Sequence, residues 1–161
     1  MKLPLPREEV LKKLTGLFSD DILLVREHSA KRVYIDIRPE SVIRISGFIF
    51  HQLRARYNIA SAMEAPDAIE VLHHFTIEDL NLLISLRSRL DRNEPRMPSV
   101  AVSIPAANWI EREISELLGV QFLGHPDPRR LLLPDNWPDG VYPLRQDYEE
   151  WDPEAVRTRG V

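Results

Sequence analysis

At 161 residues and 18.7 kDa, with 43% hydrophobic and 29% charged residues, the chain has the material for one domain with its own core, or one domain plus an arm. The count of cysteines is zero, which excludes disulfides, thiolate-held iron–sulfur clusters, zinc ribbons and thiol nucleophiles. A net charge of -4 gives no global basic field for nucleic acid or anionic lipid, no apolar run approaches the roughly 20 residues of a membrane span, and residues 1–9 lack an apolar leader core, so a soluble intracellular-type chain is expected.

In chain order, Val10, Leu11, Leu14, Leu17 and Phe18 recur at helical spacing, which predicts a helix over about 7–18 that Asp20 and Asp21 end. Two strands follow, 22–27 and 31–37, with Val33, Ile35 and Ile37 alternating with polar neighbours and a tight turn at 28–30. Residues 40–57 read as a longer helix on the stripe Val42, Ile45, Ile49 and Leu53, with Phe48 and Tyr57 flanking it and Pro39 at its start. Residues 61–65, 69–75 and 82–90 read as three more strands. A helix over 77–90 competes with the last of these, because Leu and Arg are good helix formers. A final helix opens at Pro105 and closes at Gly119. Its expected apolar face is Trp109, Ile110, Ile114, Leu117 and Leu118, with Glu111, Arg112, Glu113 and Glu116 mostly opposite.

This order predicts an α+β domain over residues 1–118, two layers with a mostly antiparallel sheet covered by helices. Beyond it the composition changes. Six of the 13 prolines fall between Gly124 and Pro153, so residues 119–161 are expected to form an extended proline-rich C-terminal arm.

Catalytic signatures are missing. The five histidines (28, 51, 73, 74 and 125) show no metal-ligand spacing; His73 and His74 on a strand point to opposite faces, and all five are expected to be surface or partly buried. There is no GxSxG, phosphate loop or GxGxxG, and Glu111 and Glu113 on a helix point about 200° apart, so they do not form one acid/base pair. Arg129, Arg130 and Trp137 have the composition of an RNA contact, but Asp127, Asp135 and Asp139 cancel the field locally. The arm stands out instead. A stretch of about 40 irregular residues is uncommon unless disordered or functional, and disordered arms seldom carry Trp137, Tyr142, Tyr148, Trp151 and the run 131–133. Aromatic and arginine anchors suit docking onto another protein.

Ala107-Asn108-Trp109-Ile110-Glu111-Arg112-Glu113, Gly119-Val120, Gly124-His125-Pro126-Asp127-Pro128-Arg129-Arg130 and Pro143-Leu144-Arg145-Gln146-Asp147 together resemble the signature of the thirty-kilodalton subunit family of respiratory complex I, the NADH:quinone oxidoreductase. Two departures favour one branch. Residues 115–120 lack the family's usual aromatic-rich turn, and Trp137-Pro138-Asp139-Gly140-Val141-Tyr142 before Pro143 is similar to the homologous subunit of membrane-bound, energy-converting NiFe hydrogenases. Gln146 replaces a usual lysine, which puts a charge contact there in doubt.

The resemblance implies an accessory, structural subunit without catalytic residues, metal or cofactor of its own. It supports electron transfer coupled to ion translocation. Its implied partners are the large catalytic subunit (the forty-nine-kilodalton type or a hydrogenase large subunit) and adjacent iron–sulfur subunits, which carry iron–sulfur clusters and, in hydrogenases, NiFe. Its implied place is peripheral, on the cytoplasmic side of the cell membrane, with no span and no nucleic acid. Trp109, Glu111, Arg112, Glu113, His125, Asp127, Arg129, Arg130, Trp137, Leu144, Arg145, Asp147 and Tyr148 are the expected partner-binding residues. The alternative is a free-standing module that binds RNA or protein and has no redox role.

Overall fold

A computed structural model describes residues 5–149. Helix α1 (Arg7–Leu17) buries Val10, Leu11 and Leu14 of the expected stripe, whereas Leu17, at its last turn, is exposed. Strands β1 (Ile22–Ser29) and β2 (Arg32–Ile37) form an antiparallel hairpin. A 3₁₀ turn at Pro39–Ser41 then leads into α2 (Val42–Gly47), and a π-helical turn over Phe48–Gln52 follows. The helix expected over 40–57 therefore stops early. Its hydrogen bonding loosens in the π turn, and Arg54 takes a positive φ of 54° that swings the chain into β3 (Arg56–Glu64). Tyr57, expected to flank that helix, lies instead on β3 opposite Phe75.

Strands β4 (Ala68–Ile77) and β5 (Leu82–Asp91) complete one five-stranded sheet in the order β1-β2-β5-β4-β3. Residues 82–91 are strand rather than helix. Leu82, Ile84, Leu86 and Leu90 are all buried, as the two-residue period requires. All pairings are antiparallel except β2 with β5, because α2 and the β3–β4 hairpin separate these two strands in sequence and carry the chain back before β5 is laid down.

Val33, Ile35, Ile37, Ile69, Val71 and Phe75 face the helices and form one core with Ile45 and Ile49. On the opposite face Arg87 donates to both carboxylate oxygens of Asp36, at 2.8 and 2.6 Å, and reaches Glu70 at 3.4 Å. His73 and His74 do point to opposite faces. His74 bonds Ser61 and Ser85 on the outer face, whereas His73 lies wholly inside the core with Nδ1 3.2 Å from the Tyr57 hydroxyl. The expectation of a surface or partly buried histidine therefore fails at position 73.

After β5, β6 (Arg96–Pro98) leads through 3₁₀ turns at Val100–Val102 and Pro105–Ala107 into α3 (Asn108–Leu118). Strand β7 (Gln121–Leu123) then pairs in parallel with β6. From Gly124 to residue 149 the chain has neither helix nor ladder. The five-stranded mixed sheet with its helices is an α+β fold. Trp151 lies outside the described residues.

Candidate docking site

Helix α3 is the platform on which residues 124–149 lie. Ile114 and Leu118 are buried beneath it, and Gly119 ends it at φ +78°, its N–H donating to the Ser115 carbonyl at 2.9 Å. The expected division of its faces is overturned at two positions. Trp109 is 70% exposed, and Glu111 is fully buried. The cause is local. The 3₁₀ turn at Val100–Val102 tucks its N-terminus under α3, and the buried Val100 N–H and Ser99 hydroxyl need an acceptor. Glu111 supplies it, at 2.7 Å from Val100 N and 2.5 Å from Ser99 Oγ. Burial nonetheless pushes the Glu111 carboxyl up to about 7, against those hydrogen bonds.

Arg112 and Glu116, one helical turn apart, hold the arm by its main chain. Arg112 donates to the carbonyls of Arg129 and Arg130, both at 2.7 Å, and lies 3.4 Å from Asp127. The Glu116 carboxylate accepts the N–H groups of Leu131, Leu132 and Leu133, the latter two at 2.9 Å. Within the arm Arg129 donates bidentately to Asp127 at 2.6 and 2.8 Å; this pair, and then Arg112, hold the Asp127 carboxyl down to about 2. Arg130 donates to the carbonyls of Pro134 and Trp137, at 3.1 and 2.7 Å, and to Asp139 at 2.7 Å. The Trp137 indole donates to the Val141 carbonyl at 2.8 Å and stacks on Tyr148, with ring centroids 6.3 Å apart.

A second anchor is the end of β3. The Glu64 side chain, 2% exposed, accepts from Arg92 at 2.5 Å and from the Gln146 N–H at 2.6 Å, with Arg145 at 3.7 Å. The Gln146 amide and then the two guanidinium groups hold its carboxyl below the usual carboxylate range, against burial. Arg145 also donates to the Arg92 carbonyl at 2.9 Å. Position 146 thus engages the body through its backbone. Between α3 and the arm runs a cleft of about 430 Å³, lined by Arg112, Glu116, His125, Leu133, Trp137 and Tyr142 among others.

The structure therefore brings together Glu111, Arg112, His125, Asp127, Arg129, Arg130, Trp137, Arg145 and Tyr148 around α3 and the arm. Trp109 and Leu144 point outward, 70% and 59% exposed, and Asp147 lines a separate cleft with Arg92, Arg145 and Tyr148, while Glu113 takes no part in these anchoring hydrogen bonds. Sequence reasoning missed Ser99, Glu64 and Glu116. Glu116 had a signal, its four-residue spacing from Arg112; Glu64 had none, because it meets the arm 82 residues away in sequence. Among the described residues no group of three or more His, Asp or Glu is arranged to hold a metal ion, and no helix is long and apolar enough to cross a membrane.

Comparison with known proteins agrees with the residue pattern. A subunit of the F(420)H(2) dehydrogenase of Methanosarcina mazei is 30% identical over 151 residues, 92% of this chain and 95% of that one. The membrane-bound hydrogenase subunit beta of Pyrococcus furiosus is 30% identical over 161 residues, 95% of this chain and 92% of that one. Formate hydrogenlyase subunit 5 of Escherichia coli is 52% identical, but over 64 residues only, 40% of this chain and 11% of that much longer protein. In fold the chain is similar to a subunit of the membrane-bound sulfane sulfur reductase, an archaeal respiratory membrane complex, at a TM-score of 0.76 and 22% identity over 95% of this chain and 90% of that one. The family model described as the respiratory-chain NADH dehydrogenase 30 Kd subunit matches residues 35–154. The chain belongs to that 30 Kd subunit family.

Proposed function

We propose that this protein is an accessory, cofactor-free subunit of a membrane-associated redox complex of the energy-converting hydrogenase or NADH:quinone oxidoreductase type, seated peripherally on the cytoplasmic side. It docks onto the large catalytic subunit, beside iron–sulfur subunits, and supports electron transfer coupled to ion translocation without reacting itself. Residues 119–161 act as the docking arm and residues 1–118 as the body that carries it. The observation that carries this reading is the way the arm is fastened. Arg112, Glu116 and Glu64 bind its main chain at residues 129–133 and 146, which fastens that part of the arm to the body, while Leu132 and Leu144 on the arm and Trp109 beside it stay exposed. Such preorganisation lowers the entropy lost on association, and exposed large apolar groups need a surface to cover. Relatives named as subunits of membrane-bound hydrogenase and F(420)H(2) dehydrogenase support the kind of complex. The hydrogenase type is favoured by residues 137–145, whose form resembles that branch.

The test is a pull-down with the large catalytic subunit of the complex, comparing wild type with Arg130→Ala, Arg145→Ala and a truncation after Gly119. Loss of the complex on truncation is expected. Undiminished assembly by the truncated chain would remove the arm from the interface.

A further inference from the structure

Glu111 sits where three segments meet: α3, the turn at residues 99–101, and the start of the arm. Its carboxyl is fully buried, with Ser99 and Val100 as donors. From the arm side, His125 Nε2 lies 3.7 Å from the nearer carboxyl oxygen, too far for a hydrogen bond. That nitrogen faces the Asn108 carbonyl at 3.1 Å, while Nδ1 accepts the Asp127 N–H at 3.0 Å. A ring that accepts at Nδ1 and donates at Nε2 to the Asn108 carbonyl makes no hydrogen bond to the carboxyl it covers. The other elements place no cation in contact with it. Residues 99–101 offer a hydroxyl and amides, β3 offers Tyr57, whose buried phenol stays protonated, and Arg112 is committed to Asp127 and two arm carbonyls.

We propose that the seating of the arm on α3 is proton-dependent: the turn at residues 125–127 closes over the protonated Glu111 carboxyl and lifts from it when that carboxyl ionises. The reason is hydration. With the arm closed the carboxyl is dry, and burial raises its pKa to about 7. With the arm lifted, water reaches it and returns it toward the ordinary value of about 4.3. A carboxyl with the higher pKa in the closed state favours closure at acidic pH. Closure then weakens as the pH rises from the ordinary carboxylate range to about 7, and levels off above it. One proton is lost to solvent per opening, so the closed-to-open ratio falls by up to tenfold per pH unit within that window.

The experiment is amide hydrogen exchange on the full chain from about pH 4 to pH 8, corrected for intrinsic exchange, read at Asp127 and Leu131–Leu133, whose N–H groups report the arm. In wild type, protection is expected to fall up to tenfold per pH unit and to level off near pH 7. Glu111→Gln, which does not titrate, is expected to lose this fall in protection. Ser99→Ala removes a donor that favours the ionised carboxyl, so its levelling point should move to higher pH. A flat wild-type profile, or a Gln variant with the wild-type slope, would overturn the proposal. Should the Gln variant not fold, Ser99→Ala decides, and an unmoved levelling point there overturns it equally.

Discussion

The Tyr142 ring packs over Gly119 so closely that a Cβ added there would lie 2.5 Å from Cε2 and 2.7 Å from Cζ. The glycine serves two ends at once. Its φ of +78° turns the chain out of α3, and its bare Cα admits the ring that brings the arm back over the helix end, where the Leu144 N–H bonds the Leu117 carbonyl at 3.0 Å.

Gly119→Ala is therefore expected to cost more than the left-handed strain alone, which is about 1–2 kcal/mol. The surplus should shrink in the Gly119→Ala, Tyr142→Ala double variant, because the clash is gone. A double-mutant cycle by urea denaturation measures the coupling, and a coupling of zero would mean that the ring does not lean on the glycine.

Glu116→Ala leaves three arm amides without their acceptor. Because the site is partly open to water, a loss of about 1–2 kcal/mol is expected. Hydrogen exchange at 131–133 should quicken while β4 and β5 keep their protection. Equal loosening of the sheet would show that the carboxylate supports the whole domain rather than the arm.

Position 146 separates a backbone contact from a side-chain contact. Gln146→Ala keeps the N–H that Glu64 accepts and should change stability by less than about 0.5 kcal/mol. Gln146→Pro removes that N–H and should cost about 1–2 kcal/mol. The contact with Glu64 is carried by the main chain and so does not depend on the side chain at position 146. Indistinguishable unfolding midpoints for the two variants would contradict this.

Two buried groups set opposite pH slopes. Burial holds His73 down to about 3, so the unfolded chain takes up that proton first, and stability present above about pH 6.5 is lost as the pH falls toward 3. Glu111, raised to about 7, does the reverse: its contribution is full below the ordinary carboxylate range and is lost as the pH rises to about 7. Each slope is at most about 1.4 kcal/mol per pH unit, and between roughly pH 4.5 and 6.5 they oppose each other. Burial also lowers His74, which adds to the His73 slope, so the thermal denaturation midpoint across that range should rise with pH less steeply in wild type than in Glu111→Gln. Glu111→Gln should unmask stability that rises with pH, and His73→Leu should leave stability that falls with it. Parallel profiles for the two variants would show that one of these groups does not titrate as its burial requires.

What the sequence by itself determined was local. The period of Val10, Leu11 and Leu14 marked α1, the alternation through Leu82, Ile84 and Leu86 marked β5, Gly119 marked the end of α3, and the prolines after Gly124 excluded helix and ladder. These follow from backbone geometry and from which neighbours share a face, and both are written within a few residues. The string from Ala107 to Asp147 carried the family for the same reason, since its spacing is contiguous. Only the tertiary structure decided that β2 lies parallel to β5, that Trp109 faces out while Glu111 faces in, and that Glu64 receives the arm. Hydrophobic periodicity assigns faces by transfer energy alone. The inward turn of Glu111 answers the unsatisfied donors at Ser99 and Val100, which reach it only when the chain has folded back under α3.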